Sequence, residues 1–266
     1  MPDHVAPVWD PAQYTRYADE RSRPFFDLAG RVRAEDPRVV VDLGCGPGGL
    51  TATLAGRWPH ARVTGVDDSP QMIERAERHA GDRLTFLRAD VAGWTPAEPP
   101  DVIVANALFQ WIPGHHAVLT RLARSLAPGG WLAFQVPGNF GAPSHILLRE
   151  LCRAARWRDR LAGTVRDDPV DNPAGYLGLL AAEGCAVDAW ETTYLHVLPG
   201  EDPVLDWVKG TALRPVLTLL TDPGERDAFL AEYAAALRDA YPREPYGTVL
   251  PFRRIFAVAR AAGRTP

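Results

Sequence analysis

The sequence is poor in lysine and cysteine, and it contains no long apolar run. Lys209 is the single lysine among 266 residues, and cysteine occurs only at positions 45, 152 and 185. Three cysteines without C-x-x-C spacing indicate neither a disulfide framework nor a zinc site, so we expect no metal and a reducing, cytoplasmic location. No window approaches the roughly 18 apolar residues of a membrane span, and no cationic apolar leader opens the chain. We therefore expect neither secretion nor a membrane anchor.

The charge balance limits the class of partner. The formal net charge is -4 and the pI is about 6.0. No global positive field is available to attract nucleic acid or an anionic membrane, so the expected partner is a small molecule. The oligomeric state stays open and is compatible with a monomer.

Short apolar runs alternate with segments of helical spacing in the first half of the chain. The runs VVVDL, RVTGV, DVIVA and WLAFQV predict strands at 39–43, 62–66, 101–105 and 131–136, and RLTFLRAD predicts one more. This alternation is typical of a doubly wound, Rossmann-like α/β sheet. After Pro137 the spacing is mostly helical, with two further strands, one of them an antiparallel edge strand. We expect one domain, 1–266, with an N-terminal helical lid at 1–30, a cofactor-binding half at 31–137 and acceptor-side helices and strands at 138–266.

The segment VVVDLGCGPGGLT contains a glycine turn with an acidic residue in front of it. Gly44, Gly46 and Gly49 match the G-x-G-x-x-G pattern of dinucleotide sites. Asp42, however, would bring a negative charge to the place where a pyrophosphate approaches. A simple tight turn is a serious alternative for the glycines.

Three acidic residues follow one another at strand ends, namely Asp42, Asp67 and Asp90. The carboxyl ends of such strands share one edge of the sheet, which is where ligands bind. Carboxylates there suit a ligand with hydroxyls and positive charge, because they accept hydrogen bonds and offset cations. Taken singly, each could equally cap the following helix.

Four motifs resemble those of class I S-adenosylmethionine-dependent methyltransferases: VVVDLGCGPGGLT, VTGVDDSPQMIERA, LRADVAGW and DVIVANALFQW. The resemblance implies S-adenosylmethionine as cofactor and S-adenosylhomocysteine as product. It implies that Gly44, Cys45 and Gly46 form the turn under the methionine part, that Asp67 takes the ribose hydroxyls, and that Asp90 with Val91 meets the adenine. The other residues expected at the cofactor are Arg21, Asp42, Gly48, Asp68, Met72 and Asn106.

Segments outside this core resemble the trans-aconitate 2-methyltransferase family over nearly the whole chain, among them WDPAQYTRYADERSRPFFDL, GTALRPVL and TVLPFRRIFAVAR. The resemblance implies that a carboxylate of trans-aconitate attacks the sulfonium methyl to form a monomethyl ester. A carboxylate is ionised at neutral pH, so no general base is needed and positioning should dominate. Candidate positioning residues are Tyr14, Arg16, Gln110, Trp111, His145, Arg214, Arg253 and Arg254. Arg253 and Arg254 are adjacent in a strand and must face opposite sides, so at most one serves a given pocket directly.

Three other functions stay open. The acceptor could be another small or carrier-linked carboxylic acid. The chain could also bind S-adenosylmethionine without turnover, and a dinucleotide-dependent oxidoreductase is a weaker alternative.

Overall fold

The computed structural model describes residues 18–165 and 170–263. The helices that it describes are α1 (Ala18–Ala29), α2 (Gly49–Arg57), α3 (Pro70–Ala76), α4 (His115–Ser125), α5 (Pro143–Arg153), α6 (Arg158–Leu161), α7 (Pro173–Ala181), α8 (Pro203–Lys209), α9 (Arg214–Leu219) and α10 (Pro223–Ala240). The strands are β1 (Val39–Leu43), β2 (Arg62–Asp67), β3 (Leu84–Arg88), β4 (Val102–Asn106), β5 (Trp131–Pro137), β6 (Ala186–Leu198), β7 (Arg243–Glu244) and β8 (Gly247–Arg260). Short 3₁₀ helices cover Glu77–His79 and Phe109–Trp111. No described helix is both long and apolar enough to cross a bilayer.

The described chain divides into two compact units. A sheet unit contains 19–137, 170–192 and 254–263, and a helical unit contains residue 18, 138–165 and 193–253. Each unit has its own apolar core, as described below. The single-domain interpretation stays a prediction.

The sheet has the strand order β3-β2-β1-β4-β5-β8-β6. Strands β1 to β5 are parallel, and β8 runs antiparallel to β5, with Trp131 opposite Arg260 and Pro137 opposite Arg254. The predicted doubly wound α/β fold is confirmed. The predicted antiparallel strand is β8. It does not form the edge of the sheet, because β6 lies outside it in the strand order.

Central strands of the sheet unit are apolar along their length because they are buried on both faces. Leu43, Ile103, Val104, Phe134 and Phe256 are fully buried. The sequence also sets where α3 begins: Ser69 is its N-cap, accepting a hydrogen bond on Oγ from the Met72 amide at 3.3 Å, and a proline follows at the first helical position. The helix therefore begins directly after β2.

The helical unit is built around large aromatic side chains. Trp157, Trp207, Phe229 and Tyr233 are buried, and the Trp157 and Phe229 rings meet edge to face with centroids 5.3 Å apart. The Tyr233 hydroxyl donates to the carbonyl oxygen of Ser144 at 2.7 Å, which ties α10 to the start of α5. Burial of these rings stabilises this unit, since each removes a large apolar area from water.

Candidate active site

The glycine turn after β1 is held in left-handed backbone conformations. Gly44, Gly46 and Gly48 have φ of 70°, 53° and 80°. The amides of Gly44 and Cys45 donate to the Val66 carbonyl at 2.7 and 3.1 Å, which ties the turn to β2. A Cβ added at Gly46 would meet no atom within 4 Å, whereas one at Gly48 would lie 2.8 Å from the Ala76 Cβ. The turn is therefore packed on the Gly48 side and open at Gly46, as a backbone cradle for a ligand requires.

Asp67, the last residue of β2, joins two neighbouring turns. Its Oδ2 accepts the Gly46 amide and its Oδ1 accepts the Ser69 amide, both at 2.9 Å. Burial raises the pKa of Asp67, and these two N–H donors counter that rise. Each carboxylate oxygen has more than one lone pair, so the half-buried side chain can still accept hydroxyl donors. Its neighbour Asp68 is exposed, and Met72 is buried on α3.

Asp42 lies beneath the glycine turn. It belongs to β1 rather than following it, and it is 2% exposed. Burial raises its pKa to about 7; the 2.7 Å hydrogen bond from Thr51 Oγ1 opposes this rise, and the charge of Asp67 adds to it. Asp42 therefore titrates near neutral pH. The buried Cys45 thiol has a pKa raised chiefly by burial, so it stays protonated and fits a packing role.

The loop after β3 is anchored by an arginine that sequence reasoning missed. Asp90 is exposed and its Oδ1 accepts the Ala92 amide at 2.9 Å, while Val91 is buried. Arg121 on α4 points its Nη2 at the carbonyls of Val91 (3.2 Å), Ala92 (2.9 Å) and Trp94 (3.2 Å). One guanidinium thus fixes the loop that carries the expected adenine contacts. Arginine is so frequent in this chain that no local signal singles out Arg121.

The turn after β4 contains the one described non-glycine residue with positive φ. Ala107 has φ of 56°, next to Asn106, the last residue of β4. Nε2 of Gln110 donates to the Ala107 carbonyl at 2.5 Å, and the Ala107 amide donates to the Gln135 carbonyl at 3.0 Å. These bonds offset a backbone strain of about 1–2 kcal/mol. Gln110 is buried, and Trp111 beside it is half-buried.

A buried arginine reaches the same edge of the sheet unit. Arg254 on β8 is 6% exposed, and its Nη1 donates to Oε1 of Gln135 at 3.3 Å. Gln135, fully buried on β5, donates through Nε2 to Oδ1 of Asn106 at 2.6 Å. Sequence reasoning named Arg254 and Asn106 but missed Gln135, whose signal is a single polar residue in the apolar strand WLAFQVP.

The remaining acceptor candidates that are described belong to the helical unit. Arg253 is held in the strand by its amide, which donates to Asn139 Oδ1 at 2.7 Å, and its Nη1 reaches the Gly138 carbonyl at 3.4 Å. Burial lowers the pKa of His145 to about 4, with the Arg149 charge contributing, so this imidazole is neutral at pH 7. Arg214 is the half-buried first residue of α9. Tyr14 and Arg16 lie outside the described residues, and so does the side chain of Arg21.

In the sheet unit, the structure brings the expected cofactor residues of β1, β2 and β4 to one edge. A parallel sheet with one antiparallel strand beside β5, a glycine turn after β1 and an acidic residue at the end of β2 together define a class I methyltransferase. Among the described residues, no group of three His, Cys, Asp or Glu side chains is placed to bind a metal ion.

Comparison with known proteins agrees with this class and narrows it. A family model described as "Methyltransferase domain" matches residues 40–130. The trans-aconitate 2-methyltransferase of Streptomyces avermitilis is 59% identical over 97% of this chain and 98% of its own length, and that of Streptomyces coelicolor is 58% identical over 96% and 88%. A solved structure described as a complex between the Haloferax volcanii Trm112 methyltransferase activator and a putative methyltransferase shares the fold with a TM-score of 0.56 at 20% identity, over 96% of this chain and 95% of that chain. The chain belongs to the trans-aconitate 2-methyltransferase family.

Proposed function

We propose that this protein transfers a methyl group from S-adenosylmethionine to a carboxylate oxygen of trans-aconitate, releasing the monomethyl ester and S-adenosylhomocysteine. The observation that carries the proposal is the 59% identity, over nearly the whole length of both chains, to a protein named for this activity. The aligned region covers 97% of this chain, so it spans the cofactor motifs and the acceptor segments alike.

The cofactor would be held by the edge of the sheet unit formed by the turns after β1, β2 and β3. S-adenosylmethionine supplies an electrophilic methyl group on a sulfonium centre. The open Gly46 backbone fits close approach of a ligand, and Asp67 keeps acceptor capacity for hydroxyls. Asp90 and Val91 would meet the adenine, while the ionised fraction of Asp42 would favour a cationic ligand over a neutral one.

The acceptor is proposed to need positioning rather than proton removal. A carboxylate with a reference pKa near ~4 is already a nucleophile at pH 7, and orientation at about 3 Å from the methyl carbon supplies much of the acceleration. Arg214, Arg253 and Arg254 remain the cationic candidates. His145 can contribute only as a neutral hydrogen-bonding group at pH 7, because its pKa is lowered to about 4.

With no general base, the single-turnover rate at saturating substrates should be level from about pH 6 to 8, since the acceptor is ionised throughout. Rapid-quench measurements across this range test it. Because Asp42 has a pKa of about 7, the same profile is measured for Asp42→Asn; a single ionisation inside the range that persists in this variant would contradict the mechanism.

The decisive experiment for the function is mass spectrometry of products after incubation with S-adenosylmethionine and a panel of acids: trans-aconitate, cis-aconitate, citrate, small diacids and an acyl-carrier-linked acid. A methyl ester formed preferentially from trans-aconitate supports the proposal. Preference for another acid would replace the acceptor, and cofactor binding without any ester would indicate a non-catalytic protein.

The proposal extends to partner and location. We propose a small-molecule carboxylic acid as the partner and a reducing, cytoplasmic setting, supported by the three free and buried cysteines.

A further inference from the structure

Three polar side chains form a continuous chain of hydrogen bonds across β4, β5 and β8. Asn106 is opposite Gln135 in the sheet register, and Gln135 is opposite Phe256, two residues after Arg254. Side chains two residues apart on a strand share a face, so Asn106, Gln135 and Arg254 lie on the same face of the sheet. The bonds run from Arg254 Nη1 to Gln135 Oε1 at 3.3 Å, and from Gln135 Nε2 to Asn106 Oδ1 at 2.6 Å.

The arginine determines the direction of every bond in this chain. A guanidinium only donates hydrogen bonds, so Gln135 must turn its carbonyl oxygen towards Arg254. The Gln135 amide nitrogen then faces Asn106, which must receive it with its own oxygen. The two N–H donors of the Asn106 amide are therefore directed away from Gln135. Without Arg254, both amides could flip together and present the opposite group.

Burial strengthens this constraint. Gln135 is fully buried and Arg254 is 6% exposed, so a reversed Gln135 amide would turn its nitrogen towards a buried cation in a low dielectric. Hydrogen bonds in a chain polarise one another, which makes the terminal donor on Asn106 stronger. Asn106 itself is only half-buried, at the carboxyl end of β4, the edge where ligands of such sheets bind.

We propose that Arg254 and Gln135 act as positioning residues that orient Asn106 as a hydrogen-bond donor to a carboxylate of a bound ligand. The inference rests on the proposed function, which supplies two carboxylate sources: the amino-acid part of the cofactor and the acceptor. A donor aimed at an anion gives a charge-assisted bond, whereas a reversed amide would direct its oxygen at the same anion and repel it. Ala107, the next residue, has a positive φ, and its amide donates to the Gln135 carbonyl. This bond keeps the Asn106 backbone in place.

The test is the nearly isosteric substitution Gln135→Glu. The introduced carboxylate still accepts from Arg254, so the fold is retained, but it has no N–H for Asn106. The Asn106 amide should then turn its nitrogen inwards and present its oxygen to the ligand. Gln135→Met, of similar volume, removes both bonds and leaves the Asn106 amide without a fixed direction. Melting temperatures establish that both variants are folded.

Binding is measured by calorimetry in two arms, first with S-adenosylhomocysteine alone and then with trans-aconitate on protein saturated with S-adenosylhomocysteine. We expect Gln135→Glu to weaken one of the two ligands about tenfold to hundredfold, and Gln135→Met to weaken the same ligand less. A loss in the first arm assigns the carboxylate to the cofactor, and a loss confined to the second assigns it to the acceptor. Asn106→Asp, which replaces the donor by an acceptor directly, should affect the same arm.

Two outcomes separate failure of this inference from failure of the proposed function. If the unchanged protein binds trans-aconitate and S-adenosylhomocysteine, and folded Gln135→Glu protein binds both within about twofold of it, the orienting role is overturned. If the unchanged protein binds S-adenosylhomocysteine but not trans-aconitate, the proposed acceptor is wrong; the orienting role then stands only if Gln135→Glu weakens S-adenosylhomocysteine, and it is overturned if that affinity is unchanged.

Discussion

Removal of the Arg121 guanidinium should weaken cofactor binding without touching the acceptor. Arg121 Nη2 is within 3.2 Å of three carbonyl oxygens in the loop that follows Asp90. In an Arg121→Ala variant these carbonyls lose their common donor, and the loop samples more conformations. A ligand that needs Asp90 and Val91 in place must then restore the order, so the cost appears in its binding free energy.

The size of the effect follows from the geometry. One hydrogen bond from a charged donor contributes about 1.5–3 kcal/mol, and a single Nη2 with two hydrogens cannot serve three carbonyls fully. The total should therefore stay within that range. A cavity of about 330 Å³, lined by Arg121 and by residues 95–99, adjoins the loop, so water can reach the freed carbonyls and reduce the loss. We expect an increase in Kd for S-adenosylhomocysteine of about tenfold to thirtyfold.

The assay is calorimetry with S-adenosylhomocysteine, combined with steady-state kinetics in trans-aconitate at saturating S-adenosylmethionine. The matched control is Arg124→Ala, three residues along the same helix, where the side chain is exposed and paired with Glu183. Arg124 bonds Glu183 rather than the loop after β3, so the control should bind within about twofold of the unchanged protein. Arg121→Lys, which keeps the charge but not the planar donor group, should give an intermediate loss.

The reasoning would be refuted if folded Arg121→Ala protein bound S-adenosylhomocysteine as tightly as the control. It would also be refuted if the acceptor KM rose while cofactor affinity stayed the same, because the loop would then serve the other substrate.

Four further predictions concern the turns and the acceptor. Asp67→Asn keeps one acceptor oxygen of two, so calorimetry should show S-adenosylmethionine and S-adenosylhomocysteine weakened alike, by about tenfold to hundredfold. Burial raises the pKa of Asp42 from 3.8 to about 7, so between these pH values the folded chain holds a proton that the unfolded chain has lost. The free energy of unfolding, measured by urea titration, should therefore fall as the pH rises from about 4 to 7, and Asp42→Asn should remove this slope. Gly48→Ala adds a clash to its positive φ and should lower the melting temperature more than Gly46→Ala, which adds only the backbone cost; equal shifts would contradict the packing argument. Arg214→Lys should reduce kcat/KM for trans-aconitate about tenfold to hundredfold at unchanged cofactor affinity, and a change within twofold would exclude a two-pronged contact.

Much of the fold was predictable because its determinants are local. The run VVVDL predicts β1 at the residues where it lies, and WLAFQV predicts all of β5 except its last residue. Ser69 followed by a proline predicts the start of α3 for a stereochemical reason that needs no tertiary contact. The position of β8 between β5 and β6 was not predictable. Either of the two late strands could pair with β5, and the choice depends on contacts between residues more than 100 positions apart in the chain.

The candidate site was predictable only in part, for the same reason. The glycine turn and Asp67 are adjacent to strand ends that the pattern identifies, so their neighbourhood follows from the topology of a parallel sheet. Gln135 acquires its meaning from sheet register, which places it beside Asn106 and near Arg254, 119 residues further along. Arg121 acts through backbone carbonyls, which carry no residue-specific signal at all.

The positive φ of Ala107 limits the range of backbone conformations that the end of β4 can adopt. Glycine would adopt this conformation with less strain, but it would also gain access to several other backbone basins of similar energy. An alanine forced into the left-handed region has few alternatives once its amide and carbonyl are bonded to Gln135 and Gln110. The turn therefore gives up a little stability for a narrow distribution of Asn106 orientations. Ala107→Gly should accordingly leave the average structure unchanged while it broadens the motion of that one amide, a change that side-chain NMR relaxation of Asn106 would detect.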